Sequence, residues 1–193
     1  MSFYTATNAE LLYTLPAAVT KNTYTTEAVF SAVAGTTPVC LLPGNYFIND
    51  NPNPVGRSLY LVARGIIANT AAATFAVNLG FDTTAGTKAN NVAVMAATAP
   101  VATFTAPFTF EAWMTCTAFA STTMTLQING TWAMEGANSA GAAVATALRT
   151  SFQTSLTTLV PSTSYYIELF GTWSASSASN TTTLHQMLLW GLN

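Results

Sequence analysis

From Thr74 to Phe81 (TFAVNLGF) large apolar residues take every second position. Phe75, Val77, Leu79 and Phe81 fall on one side, and Ala76, Asn78 and Gly80 on the other. A period of two is the side-chain period of a β-strand; a helix needs apolar residues three and four apart to make a stripe. The alternation returns in Phe108–Ala118, where Phe108, Phe110, Ala112, Met114 and Cys116 share one side and Thr109, Glu111, Trp113 and Thr115 the other. Thr122–Ile128 repeats it. No segment of any length carries an amphipathic helical pattern. A chain of half-apolar strands must bury one face of each, and packing two sheets face to face does so. The fold expected is all-β: an antiparallel two-sheet sandwich, jelly-roll-like. Its core should include Phe75, Val77, Leu79, Phe110, Met114, Leu126 and Ile128.

The other segments are read by the same rules. Ala28–Ala34 (AVFSAVA), Val39–Leu42, Tyr46–Ile48, Asn91–Thr98, Thr157–Val160, Tyr165–Phe170 and Thr181–Trp190 read as strands. Ser58–Ile67 (SLYLVARGII) is apolar on both sides, as a central strand is. Turns are marked by Pro43-Gly44, by Asn49–Pro54 (NDNPNP), by Asp82–Gly86 and by the Ser-rich stretch Trp173–Asn180. Asn129-Gly130, between Thr122–Ile128 and Thr131–Glu135, predicts a type I′ hairpin, because that turn needs positive φ at both central residues. Gly136–Thr150 is Ala-rich and interrupted by Gly, which favours a long loop over a short helix. About eight to ten strands result, at the spacing expected of sandwiches. Residues 1–27 read as an N-terminal arm or a first strand, and residues 28–193 as a single β-sandwich domain.

Charge limits the partners. Only 6% of the 193 residues are charged, and the net charge is −2. Average soluble domains carry roughly 25% charged residues. The polar surface must then be hydroxyl and amide, which offers little electrostatic self-repulsion. Such a chain is expected to spend its life assembled. Five cations, Lys21, Arg57, Arg64, Lys88 and Arg149, are too scattered to track phosphates, so no nucleic acid is expected. Nor is a membrane: no window approaches the ~18 apolar residues of a spanning helix. The strands carry Thr, Ser, Ala and Asn opposite their apolar side, where a membrane barrel needs a lipid-facing side. Cys40 and Cys116 lie in apolar stretches and read as two buried thiols; a disulfide between them stays open as the alternative, although one pair implies no framework. The start, MSFYTATNAE, has neither a basic nor an apolar leader region, so synthesis in a cytoplasm is expected, with exit only inside an assembly.

The chemistry-bearing residues do not converge on a reaction. His185 is the only His, and a Ser-His-Asp triad would have to use it. No GxSxG elbow accompanies it, and neither Asp50 nor Asp82 has a supporting motif. One His and two distant Cys make no metal site. Glu111, Glu135 and Glu168 lie in or at the end of strands, with nothing to bring two of them together as a glycosidase requires. Trp113, Trp132, Trp173 and Trp190 are candidates for stacking on sugar rings, or for core and subunit contacts. No catalytic, cofactor-binding or metal-binding residue is assigned, and no enzyme or cofactor is expected. Asn129 and Asn180 head glycosylation triplets that mean nothing without a secretory signal.

Five segments together are similar to a known group. SLYLVARGII, TFAVNLGFDTTAG, APFTFEAWMTC, TLQINGTWAM and SYYIELFGTWSASSASNTTTLHQMLLWGL resemble small β-sandwich virion proteins of tailed bacteriophages, over about Ser58 to Asn193. The resemblance lies in alternation, Gly-containing turns and a Trp-Ser-x-Ser-Ser loop, and carries no binding residue. It implies a jelly-roll structural protein on the outside of the particle, forming a homotrimer. The expected function is that of a capsid decoration or cement protein on the outer surface of the major capsid protein lattice. The alternative is a tail or fibre protein with a surface for carbohydrate. The expected location is the virion, assembled in the host cytoplasm.

Overall fold

A computed structural model describes residues 9–22, 24–32, 40–48, 53–69, 73–98, 104–134 and 148–192. Twelve strands and no helix occur among them, arranged as two antiparallel sheets packed together as a sandwich. The pairing is nested. β1 (Ala9–Thr14) and β2 (Val19–Asn22) pair with β12 (Thr181–Leu192). β3 (Ala28–Val29) and β4 (Leu41–Leu42) pair with β11 (Tyr165–Trp173). β5 (Ser58–Asn69) pairs with β8 (Phe104–Ala120), and β6 (Phe75–Asp82) with β7 (Asn90–Thr98). First elements thus pair with last and middle with middle, which is the winding of a jelly roll. β9 (Thr123–Met134) and β10 (Leu148–Leu159) add two strands beside β8. The large sheet runs β1-β12-β5-β8-β9-β10, with β2 also on β12; the small one runs β3-β11-β6-β7, with β4 also on β11.

Alternation sets what lies between the sheets. Leu59, Leu61, Ala63 and Ile67 of β5, Phe108, Phe110, Ala112 and Met114 of β8, and Leu126, Ile128 and Trp132 of β9 face Phe75, Val77, Leu79 and Phe81 of β6. All seven core residues named from the sequence are buried. Aromatic rings fill the centre. Phe108 stacks on Trp132 with centroids 4.6 Å apart, Phe75 lies 4.6 Å from Trp173, and Phe30 meets Phe108 edge-on at 6.2 Å. Each buried Phe contributes roughly 1.5–3 kcal/mol of transfer free energy. Cys40 and Cys116 are buried free thiols. A bulge in β12 between Leu184 and Gln186 leaves His185 and Gln186 both exposed and returns Met187 and Leu189 to the core. One extra residue in a strand shifts its parity in this way.

Four local readings are corrected. Asn129-Gly130 is not a turn: β9 passes straight through it, and Gly130 pairs with Ala112 on one side and Phe152 on the other. The β8–β9 connection is made at Ser121-Thr122 instead. Tyr46–Ile48 is turn rather than strand. The Tyr46 N–H reaches Pro43 O at 3.2 Å, the Ile48 N–H reaches Asn45 O at 3.0 Å, and Asn45 sits at φ 68°. The strand read as Thr157–Val160 begins nine residues earlier, at Leu148. β3 keeps two residues of the strand read as Ala28–Ala34, because residues 30–32 bend inward and bury Phe30. Positions 33–39, 49–52 and 135–147 lie outside the described residues, and with them Asp50, Glu135 and most of the Ala-rich stretch. At the N-terminus, Ala9–Thr14 and Val19–Asn22 are strands of the large sheet.

Candidate functional site: the outer face of the large sheet

Cross-strand partners in an antiparallel sheet lie on the same face. Following the ladder from β1 therefore gives the outer face row by row. Leu11 pairs with Trp190, Trp190 with Tyr60, Tyr60 with Trp113, Trp113 with Asn129, and Asn129 with Gln153. Four large apolar residues thus stand side by side across β1, β12, β5 and β8, and two amides continue the row on β9 and β10. The next row reads Thr14, Leu188, Val62, Glu111, Thr131 and Ser151. Beyond it come Gln186, Arg64, Thr109, Ala133 and Arg149. Apolar residues concentrate in the Leu11 row and at Leu188, Val62 and Ile66, among Thr14, Glu111, Gln186, Arg64 and Thr109, while the β9-β10 side is mostly hydroxyl and amide.

The two ends of the Leu11 row have little cover, whereas Val62 in the next row is buried. Trp113 is 49% exposed and Leu11 46%, with Ile66 at 38% three rows away. Tyr60 and Trp190 are half-buried between them. The Tyr60 and Trp113 rings lie 4.5 Å apart and tilted by 31°. One indole face is therefore taken by Tyr60. Burial, then the neighbouring Glu111 charge, pushes the Tyr60 pKa above the ordinary tyrosine value. On the polar half, Gln127 donates to Thr154 O at 3.0 Å and accepts from the Ser155 hydroxyl at 2.9 Å.

The outer face of the small sheet is covered by its own chain over β11 and β6, while Leu41 at its β4 edge stays 39% exposed. Phe170 and Glu168 point outward yet are 3% and 2% exposed. Phe170 pairs with Val29 of β3 and lies across Gly80, where a side chain would collide with its ring. Residues 83–89 fold back over the sheet. Asp82 accepts the N–H groups of Thr84 at 3.1 Å and Ala89 at 2.6 Å, and Glu168 accepts that of Gly86 at 2.7 Å. Glu27 accepts from Asn78 and forms an ion pair with Lys88. The Thr87 hydroxyl, then burial working the other way and the N–H groups of Ala89, Thr84 and Thr83, leave the Asp82 pKa below the usual carboxylate value. Burial raises that of Glu168, with Asp82 adding to the rise and the Gly86 N–H opposing it. These carboxylates have their acceptors occupied in fastening a loop.

The residues weighed for catalysis are dispersed. Glu111 and Glu168 lie on opposite outer faces of the sandwich. His185 is exposed at the β12 bulge. Among the described residues no three His, Cys, Asp or Glu side chains form a group that could hold a metal ion. Among the described residues no helix is long and apolar enough to cross a membrane. Of the four tryptophans, Trp132 and Trp173 are fully buried, while Trp113 and Trp190 share the outer row. A cleft of about 360 Å³ between β1 and the 43–46 turn is lined by Glu10, Tyr46 and Arg57 among others. Its guanidinium lies over the Tyr46 ring at 5.3 Å and donates to the Tyr46 carbonyl, so the cation is already used. No family model matches the chain, and no curated protein or solved structure matches it. What the outer row offers chemically is area: flat, aromatic and nearly uncharged, suited to contact with another surface.

Proposed function

We propose that this chain is a non-enzymatic structural protein of a bacteriophage virion, a capsid decoration or cement protein. It would bind the outer surface of the major capsid lattice and stabilise it. The observation that carries this reading is the uncovered row Leu11, Trp190, Tyr60, Trp113 on one sheet of a rigid sandwich. An exposed apolar patch of this kind marks a surface that docks, and a chain with 6% charged residues has little else to keep copies and neighbours apart. The resemblance of Ser58 to Asn193 to small virion sandwiches supports the same role. Counting copies in purified particles tests it. A shell role requires on the order of hundreds of copies, as the symmetry of a closed lattice dictates. Particles lacking the protein should lose their heads at lower temperature or lower salt. Absence of the chain from purified particles would refute the proposal.

A second reading rests on one feature of the same row. The side of Trp113 away from Tyr60 adjoins Asn129 and, one strand further, Gln153, both exposed amides. An aromatic ring beside amides is the chemistry that holds a sugar. A tail or fibre protein with a carbohydrate surface would use it, and would be present in few copies per particle.

A further inference from the structure

We infer that the outer face of the large sheet is an interface between copies of this chain, with the Leu11, Trp190, Tyr60, Trp113 row at its centre. This rests on the reading of that face as a contact surface and assigns the row to a second copy, leaving the capsid lattice to be met by other surfaces of the sandwich.

Three observations select a second copy as the occupant. The first is the difference between the two sheets. Both carry large apolar residues on their outer faces. On the small sheet the chain supplies the cover itself, with β3 against Phe170 and residues 83–89 over Gly80 and Glu168. On the large sheet Trp113 and Leu11 stay about half exposed. A sandwich buries one face of each sheet in its own core; here the centre of the small sheet's outer face is closed from within, with Leu41 exposed at its edge, and the two ends of the large sheet's aromatic row are left uncovered.

The second observation is the chemistry beside the row. Asn129 and Gln153 continue it, and Thr131 and Ser151 stand in the row alongside. Amides and hydroxyls each donate and accept, so such a surface can satisfy a copy of itself. A surface of one charge sign cannot. The third is that the few charges are of both signs. Arg64 stands one row from Glu111 on neighbouring strands. A partner of strong single-sign charge would meet one of them unfavourably, whereas a copy carries the same balanced set. Closed point-group symmetry then needs only one self-complementary patch, or two complementary halves, to produce a finite assembly. The outer row is the self-complementary case, in which the patch meets itself across a twofold axis.

Light scattering after size-exclusion chromatography at micromolar concentration tests the inference on the full chain. The wild type should elute at twice the 20.2 kDa chain mass. Trp113→Arg and, separately, Leu11→Arg should shift it to the single-chain mass, because each places a charge at one end of the row. Both positions are exposed, so the fold should survive; an unchanged far-ultraviolet circular dichroism spectrum confirms that it has. Lys88→Ala, on the closed face of the other sheet, should keep the wild-type mass. A wild type at 20.2 kDa overturns the inference. So does an unchanged multiple in both folded arginine variants, because the copies would then meet elsewhere. Copy number in particles is read independently, so a monomer in solution refutes this interface without deciding whether the chain belongs to a virion.

Discussion

Replacing Gly130 by alanine probes how β9 is built. Gly130 sits within the strand, its missing side chain directed at the core. A Cβ there would lie 2.7 Å from Cε1 of Phe152 and closer still to Phe152 Cζ and the Glu111 carbonyl oxygen, inside the 3.0 Å that real Cβ atoms keep. The Phe152 ring is half-buried and stacked on Phe110 at 5.8 Å, so it can give a little. The Glu111 carbonyl cannot, because it belongs to the main chain of β8 beside β9. Removing a glycine's backbone freedom gains about 0.5–1 kcal/mol. Overpacking a filled core costs about 1–3 kcal/mol, and a clash with main chain belongs at the upper end. The net expectation is a loss of about 1–2 kcal/mol, with Tm falling roughly 2–4 °C per kcal/mol for a chain of this size. Urea denaturation of Gly130→Ala, Gly130→Asn and Asn129→Ala gives the order. A strand makes Gly130→Asn worse than Gly130→Ala, since the amide is pushed among rings, and leaves Asn129→Ala within about 0.5 kcal/mol of wild type. A type I′ turn would reverse this, because Asn tolerates positive φ and alanine does not. Gly130→Asn more stable than Gly130→Ala would refute the account of β9.

Other consequences are open to measurement. Phe110→Ala and Leu126→Ala, at fully buried sites, should each cost about 2–5 kcal/mol by denaturant titration; a Tm within a degree or two of wild type would contradict the packing. Asp82 has a depressed pKa from its hydroxyl and N–H donors, so its contribution is present above the ordinary carboxylate value and lost as pH falls through the folded value. Asp82→Asn should therefore lower Tm at pH 7, and the difference from wild type should close below about pH 4. Glu168 has the opposite sign: its raised pKa means ionisation works against the fold, a penalty growing as pH rises through the folded value. Glu168→Gln, which keeps an acceptor for the Gly86 N–H, should raise Tm more at pH 8 than at pH 4. Burial pushes the thiols of Cys40 and Cys116 up, so a thiol reagent at pH 8 should modify neither in the native protein and both after denaturation.

Much of this architecture was legible in the alternation, and the failures share a cause. In β6 and β8 the apolar residues keep one parity and flank obvious turns, so strand and facing both follow from the chain itself. At Asn129-Gly130 a local turn preference competed with that parity. Leu126, Ile128, Trp132 and Met134 are all buried and all even-numbered. A two-residue hairpin would have carried Trp132 and Met134 to the other face, so parity held the answer. β10 is hidden because its inward side alternates Thr150, Phe152, Thr154 and Leu156, half of it hydroxyl, at the edge of the sheet. Pro43-Gly44 signalled a turn, and the chain continues turning through Ile48 where three apolar or aromatic residues suggested a strand. For the outer face, Trp113 was readable as outward from its neighbours Ala112 and Met114. That it stands in line with Tyr60, Trp190 and Leu11 was not, because pairing partners up to about 180 positions apart are set by the winding and by bulges at Leu12 and His185.

Cryo-electron microscopy of the virion proposed to carry this chain tests the central claim most directly, because it shows where the chain sits and what touches the large sheet. The account predicts density for this sandwich on the outside of the shell, with Leu11, Trp190, Tyr60 and Trp113 buried against a neighbouring copy. A particle map in which that row faces solvent, or in which the sandwich is found only at the tip of the tail, would contradict it.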